Sequence, residues 1–228
     1  AVAASTNELT ILKADASKAG TYQLVVSVDG CSSQPADVLA EVKEIPAVPV
    51  LSSNSPICEG EDLTINIDNV DAGVQYNWIH ADGVQTQNGS NWNISNANTG
   101  DSGNFQVIAA LNGCVSAPAF LSVEVKALPT VDNLSDNTPL CEGGDLTLQV
   151  TGSTGANFTW YNNNIVIGTG TSITINDVDV NDSGIYEVEA SLNGCTSNKQ
   201  QINTNITPNP ATPVISISSP ICEGEKAV

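Results

Sequence analysis

Cysteine is the residue type with the most chemistry to offer in this 228-residue sequence, and its six copies are not scattered. Three stand in one recurring motif: Pro56-Ile57-Cys58-Glu59-Gly60-Glu61, then Pro139-Leu140-Cys141-Glu142-Gly143-Gly144, then Pro220-Ile221-Cys222-Glu223-Gly224-Glu225. The other three follow a turn dipeptide: Asp29-Gly30-Cys31, Asn112-Gly113-Cys114 and Asn193-Gly194-Cys195. There is no zinc-like C-x-x-C pair. Cysteines at fixed places beside Gly and Pro turn signals favour disulfides and an oxidising compartment.

Other reactive groups give less. The one histidine, His80, follows Trp78 and has no counterpart in the next repeat, so it reads as an exposed loop residue rather than a ligand or catalyst. No serine or cysteine has a plausible base, and no Gly-rich phosphate loop occurs. Asp177, Asp179 and Asp182 cluster, as do Asp68 and Asp71, and oxygen-rich turns can hold calcium. Their spacing is not that of an EF-hand, so turn-forming, solvated carboxylates are the preferred reading. A calcium site is most credible at a junction, with Asp132 or Asp136 helping. Otherwise no cofactor is expected.

Charge narrows the partners. There are 25 acidic residues against 6 basic ones, a formal net charge of −19. Nucleic acid needs a basic stripe, and an anionic membrane surface would repel this chain. Solubility and self-repulsion account for the acidity. No apolar run approaches the length of a membrane span. Without an initiator Met or a signal segment, the chain reads as a piece of something longer.

The cysteine motifs also measure a repeat. Cys58 and Cys141 lie 83 positions apart, Cys141 and Cys222 81, so the unit is about 82 residues. A fixed period of this size means tandem modules. The expected units are 1–46, the back half of a module; 47–128 and 129–209, two complete modules; and 210–228, the start of another. An aromatic precedes the second cysteine by nine positions three times: Tyr22 to Cys31, Phe105 to Cys114, Tyr186 to Cys195. Leu63-Thr-Ile65-Asn-Ile67 alternates at period two, as a half-buried strand does, and so do Tyr76-Asn-Trp78 and Phe158-Thr-Trp160. The strands after Phe105 and Tyr186 run into Asn-Gly, a hairpin signal. No segment shows a helical period. Trp78, Trp160, Phe105, Tyr186 and Tyr22 are the expected core. Trp92, with only Leu9 and Ile173 as counterparts, reads as core or junction packing before sugar stacking. Asn-x-Ser/Thr triplets begin at Asn88, Asn93, Asn133, Asn157, Asn181 and Asn205, mostly by accident of composition. Proline-bearing linkers (Pro46 and Pro49; Pro129; Pro208, Pro210 and Pro213) are short and stiff.

With Glu-Gly-x-Asp-Leu-Thr, the Trp78 or Trp160 position, and Asp101-Ser-Gly103-Asn-Phe105 or Asp182-Ser-Gly184-Ile-Tyr186 in view, the sequence resembles the immunoglobulin-like sandwich. More narrowly, the cysteine before strand B and the Asn-Gly-Cys after strand F resemble repeats of giant cell-surface adhesins of Bacteroidota, including gliding-motility adhesins of the SprB kind. The implied fold is all-β, tandem immunoglobulin-like sandwiches arranged end to end. The usual B–F cysteine positions hold Ile67 with Val107 and Val150 with Val188, so aliphatic packing closes the core. Lys18 replaces the corner aspartate in the first fragment, which predicts a looser corner there.

Two cysteine pairings stay open. Cys58 with Cys114 and Cys141 with Cys195 would close loops of 56 and 54 residues, each stabilising by about 4 kcal/mol in the chain-entropy model. In an immunoglobulin topology, however, those turns lie at opposite ends of the sandwich. A strand of about eight residues spans roughly 26 Å, whereas a disulfide needs Cα atoms within about 7 Å. That topology favours Cys58 with Cys195 across a junction, leaving Cys31, Cys114, Cys141 and Cys222 in need of further modules. The resemblance implies a non-enzymatic stalk at the cell surface, exported by the type IX route. Its partners would be neighbouring repeats, with surface polysaccharide or outer-membrane motility machinery beyond them. The alternative is a glycan- or protein-binding module of a secreted protein. That reading requires an exposed cluster unique to one repeat, for which Trp92 and His80 are the candidates.

Overall fold

A computed structural model describes residues 8–80, 83, 86–216, 220, 222–224 and 226. Of the third cysteine motif, Ile221 and Glu225 lie outside the described residues. The chain divides into two compact units, Ala1–Lys126 and Ala127–Val228. Among the described residues there is no α-helix; strands and three single 3-10 turns make up the regular structure.

The first unit begins with β1 (Gly20–Leu24), β2 (Ser27–Val28), β3 (Cys31–Ser32) and β4 (Ala36–Ala40). β1 pairs antiparallel with β4, and β2 with β3. This segment has no second layer among the described residues. Leu24, Val25, Val26, Val28, Val38 and Leu39 are accordingly exposed. Tyr22, expected in a core, is only half-buried for the same reason.

The complete module that follows runs β5 (Leu51–Ser53), β6 (Ile57–Cys58), β7 (Leu63–Ile67), β8 (Gln75–His80), β9 (Thr86–Asn88), β10 (Asn91–Ile94), β11 (Gly103–Leu111), β12 (Cys114–Val115), β13 (Ala119–Val123) and β14 (Val125–Lys126). One sheet has the order β10-β7-β5; the other is built on β11, with β8 and then β9 on one side and β12 and β13 on the other. β6 and β14 pair in parallel, Ile57 with Val125 and Cys58 with Lys126. Alternation decides what is buried. On β7, Leu63, Ile65 and Ile67 point in; on β8, Tyr76, Trp78 and His80 do.

The second unit repeats this plan with β15 (Val131–Asp136), β16 (Leu140–Cys141), β17 (Leu146–Gly152), β18 (Asn157–Asn162), β19 (Ile165–Thr169), β20 (Ser172–Ile175), β21 (Gly184–Leu192), β22 (Cys195–Thr196), β23 (Gln200–Thr204) and β24 (Ile206–Thr207). One sheet is β15-β17-β20; the other is β19-β18-β21 with β22 and β23 on β21; β16 and β24 pair in parallel. Each module holds its own core. Trp78, Phe105 and Val107 are buried in the first, and Trp160, Tyr186 and Val188 in the second. Each central indole N–H has a carbonyl partner, Gly89 for Trp78 at 2.8 Å and Gly170 for Trp160 at 3.0 Å.

His80 corrects the sequence reading. It is buried, 5% exposed, with its ring tilted on Phe105 at 4.7 Å between centroids. The period-two alternation of β8 carries it inward as it carries Trp78.

Candidate functional site

The cysteines sit on two turns in each module, and each turn is fixed by the motif around it. The first is the Cys-Glu-Gly turn. In the first module, the Cys58 N–H donates to Glu61 Oε2 at 2.7 Å, and the Glu59 N–H to the Lys126 carbonyl at 2.8 Å. Gly60, at φ +91°, donates to the Ala97 carbonyl at 2.8 Å; Ala97 donates back to Glu61 at 2.9 Å. A left-handed φ of this kind suits glycine. In the second module, Glu142 donates to the Thr207 carbonyl at 3.0 Å, and Gly143 and Val178 form the matching link at 2.9 Å.

The aspartate of Glu-Gly-x-Asp-Leu-Thr ties this turn to the opposite loop. Asp62 Oδ1 accepts from the Asn96 N–H at 3.0 Å; Asp145 Oδ1 accepts from the Asp177 N–H at 3.1 Å. Asn54 and Asn137 add the same brace. Their amide groups donate to the Asp62 and Asp145 carbonyls, at 2.8 and 2.9 Å, and their side-chain oxygens accept from the Thr64 and Thr147 N–H groups.

The second turn is Asn-Gly-Cys. Asn112 and Gly113 have φ of +51° and +88°, Asn193 and Gly194 +53° and +88°, and Asp29 and Gly30 +49° and +86°. Positive φ at both central residues is the I′ hairpin geometry that Asn-Gly and Asp-Gly accept best. A serine two places past each cysteine completes the turn, a feature the sequence reading did not use. Its hydroxyl accepts from a backbone N–H seven positions earlier: Ser33 from Val26, Ser116 from Ala109, Ser197 from Ala190, at 2.9–3.1 Å. The Cys-x-Ser spacing in all three copies is the signal that could have revealed it.

The oxidation states differ along the chain. Cys58 and Cys195 are disulfide-bonded; Cys31, Cys114, Cys141 and Cys222 are free thiols. Cys31, Cys141 and Cys222 are exposed and Cys114 is half-buried. Cys114 Sγ points to the Lys43 carbonyl oxygen at 4.0 Å, and Lys43 Nζ donates to the Asn112 carbonyl at 3.0 Å.

Of the aspartates considered for calcium, Asp68, Asp136, Asp179 and Asp182 accept hydrogen bonds from neighbouring groups. Asp179 and Asp182 form a capping box around the 3-10 turn Val180–Asp182, and Asn98 with Asp101 does the same around Thr99–Asp101. Asp177 lies at φ +52°, a turn conformation that Asn and Asp tolerate. Asp68 accepts from the Ser52 hydroxyl at 2.7 Å, Asp136 from the Thr138 hydroxyl at 2.6 Å. Among the described residues, no group of three or more His, Cys, Asp or Glu side chains could hold a metal ion.

In the segment before the first complete module, Asp15 accepts from Ser17, but Lys18 at the third position cannot return the bond as Asp101 and Asp182 do. Tyr22 nevertheless donates to the Lys18 carbonyl at 2.8 Å, just as Tyr186 donates to that of Asp182 at 3.0 Å. The tyrosine needs the backbone of the corner; the cap needs the aspartate.

Trp92 is buried, edge-on to Trp78 at 6.3 Å and to Phe105 at 5.2 Å. Neither Trp92 nor His80 offers a face to a ligand. All six sequon asparagines are exposed. For Asn93, Asn133, Asn157 and Asn205, the middle residue is an apolar side chain turned away from the surface, so alternation alone places them outward.

The family model described as "Ig-like domain CHU_C associated" matches residues 46–129 and again 127–208. No curated protein matches the chain. Among solved structures, it is similar to the N-terminal eight Ig domains of Down Syndrome Cell Adhesion Molecule isoform 1.30.30, with 16% identity and a TM-score of 0.52; the match covers 85% of this chain and 28% of that one. A titin I-band fragment, I67–I69, matches at 19% identity and TM-score 0.49, over 87% and 77% of the two chains. Drosophila OTK extracellular domains 3–5 match at 16% and 0.43, over 84% and 72%. At these identities the likeness is one of fold. No described helix is long and apolar enough to cross a membrane. With two successive matches spanning most of its length, the chain belongs to the CHU_C-associated Ig-like domain family.

Proposed function

We propose that this chain is a stalk segment of a long extracellular bacterial adhesin filament of the SprB gliding-motility kind. Its repeats, with bounds at 1–46, 47–128, 129–209 and 210–228, hold a binding tip away from the cell and carry force. The supporting observation is the repetition of the two cysteine-bearing turns, with Cys58 of one repeat and Cys195 of the next in disulfide form. We take these two as partners, so that a covalent link supplements the peptide linker between repeats. Neighbouring repeats are the immediate partners. Surface polysaccharide and the outer-membrane motility machinery belong to the parent filament, as does export by the type IX route. The role needs no catalytic residue and no calcium. The binding-module alternative rested on Trp92 and His80, and both are buried.

Single-molecule stretching from the two ends tests this reading. Cys58 and Cys195 are 137 positions apart. With the link intact, that segment cannot extend. Reductant should therefore add roughly 450 Å of contour length, at about 3.3 Å per residue. Equal contour lengths in both conditions would sink the covalent link. Modules that yield without a measurable force peak would sink the stalk. Glycan-array binding abolished by Trp92→Ala would instead favour the binding module.

A further inference from the structure

The oxidised pair and the four free thiols follow one rule. A step of 137 positions leads from Cys58, before strand B of one repeat, to Cys195, after strand F of the next. The same step taken forward from Cys141 or Cys222 passes residue 228. Taken backward from Cys114 or Cys31, it passes residue 1. Composition and turn geometry do not separate the two groups: Cys141 sits in the same Cys-Glu-Gly turn as Cys58, and Cys114 in the same I′ hairpin as Cys195.

A second observation comes from within the first unit. Cys114 Sγ lies 4.0 Å from the Lys43 carbonyl oxygen. Lys43 occupies the repeat position of Lys126, in Glu41-Val42-Lys43 against Glu124-Val125-Lys126. Lys126 is the parallel-strand partner of Cys58. The thiol of Cys114 therefore rests beside the residue against which a preceding repeat would place its own Cys-Glu-Gly cysteine. Parallel strands lie about 4.8 Å apart, so that cysteine would be a near neighbour of the Cys114 thiol.

We infer that Cys114 and Cys141 are the attachment points of a staggered disulfide ladder, in which the Cys-Glu-Gly cysteine of each repeat bonds the Asn-Gly-Cys cysteine of the repeat after it. Each rung forms when two thiols lose two protons and pass two electrons to the disulfide of an exported thiol oxidoreductase, which becomes a dithiol. No rung lies within a repeat, and each complete repeat carries one rung to either side. The inference rests on Cys58 and Cys195 being partners.

The test keeps the whole chain and inserts a second copy of residues 129–209 directly after Asn209. Non-reducing peptide maps are read for the original and the extended protein. The original should yield a peptide joining Cys58 to Cys195, with Cys141 alkylated as a free thiol. In the extended protein, Cys141 should turn from essentially fully alkylated to essentially fully bonded, joined to the inserted copy of Cys195. Absence of the Cys58–Cys195 peptide from the original would remove the pairing itself, and the proposed link with it. If that peptide is present but Cys141 stays free, or the inserted copies of Cys141 and Cys195 bond to each other, the ladder alone is overturned. Cys58→Ser in the original chain gives a second check. It should leave Cys195 free, whereas a Cys141–Cys195 bond in that variant would show pairing inside a repeat and overturn the rule.

Discussion

The two complete modules share a backbone plan but fill one corner of it with different chemistry. In the first, Phe105 faces His80 across the strand pair, and Trp92 stands edge-on to its ring. In the second, Tyr186 faces Asn162, and Ile173 takes the place of Trp92. Burial pushes the Tyr186 phenol up, the Asp182 charge adds to this, and a hydrogen bond with Asn162 offsets part of it. The changes go together. A ring without a hydroxyl has aromatic neighbours; a phenol has an amide and a carbonyl. The backbone bonds of the turns that fix the chain's path recur in both modules, while the core between them is free to be refilled, provided that volume and polarity are satisfied together.

The outer face differs as well. Across the first module runs the row Ile79, Gln106, Phe120, with Phe120 65% exposed. Its counterpart is Tyr161, Glu187, Gln201. There Lys199 Nζ stands 3.8 Å from the Tyr161 ring centroid and 3.2 Å from Glu187, Gln201 donates to Glu187 at 2.8 Å, and Tyr161 donates to Glu189.

Five substitutions, one of them with a second-site partner, would break or sharpen this contrast. The largest effect belongs to the central indoles. Trp78→Ala and Trp160→Ala should each cost about 3–5 kcal/mol, read by chemical denaturation. Trp78 should be the more costly, because Trp92 loses its edge-on partner; equal losses would mean that Trp92 contributes only bulk. Next comes Gly168→Ala. A Cβ there would meet Ile173 Cγ2 at 2.8 Å, and overpacking costs about 1–3 kcal/mol. Combining it with Ile173→Ala, which removes Cγ2, should cost less than the two single losses added together. Tyr186→Phe copies the residue of the first module without its neighbours. Denaturant midpoints should show a loss of about 1 kcal/mol for the hydrogen bonds, and a neutral outcome would show that Asn162 and the Asp182 carbonyl find water instead.

Glu187→Gln should have the smallest effect, and it depends on pH. Hydrogen bonds from Gln201, then Lys199, hold the Glu187 carboxyl below its ordinary value of 4.5. A depressed folded-state value stabilises above the unfolded one and is lost as pH falls through the folded one. The thermal stability gap between the native chain and Glu187→Gln should therefore be present at pH 7 and close as pH drops below about 4.5. A gap that widens in acid would contradict the assignment.

Much of the fold was legible because turns and strands write themselves into short windows. The Asn-Gly hairpins, the alternation on β7 and the indole positions need no knowledge of distant residues. The candidate site was legible only in part. His80 was misplaced because its polar type was read against the alternation that Tyr76 and Trp78 had already set. Tyr22 was grouped with Phe105 and Tyr186 by spacing, but spacing cannot supply the missing layer over β1 and β4. The roles of Asp62 and Asp145 depend on loops 34 and 32 residues further along the chain, which local pattern cannot reach. Ser33, Ser116 and Ser197 were readable in principle, as a constant offset from cysteine.

The parallel pairing of β6 with β14, and of β16 with β24, has a mechanical consequence. In each module it joins a strand near the point of entry to the strand at the point of exit. Once the proposed Cys58–Cys195 link is reduced, tension applied at the two ends slides these strands past one another. Ile57 to Glu124 and Glu59 to Lys126 in one module, and Leu140 to Asn205 and Glu142 to Thr207 in the other, then share the load and must rupture together instead of peeling in turn. A patch of two residue pairs thus sets the yield point of a whole sandwich.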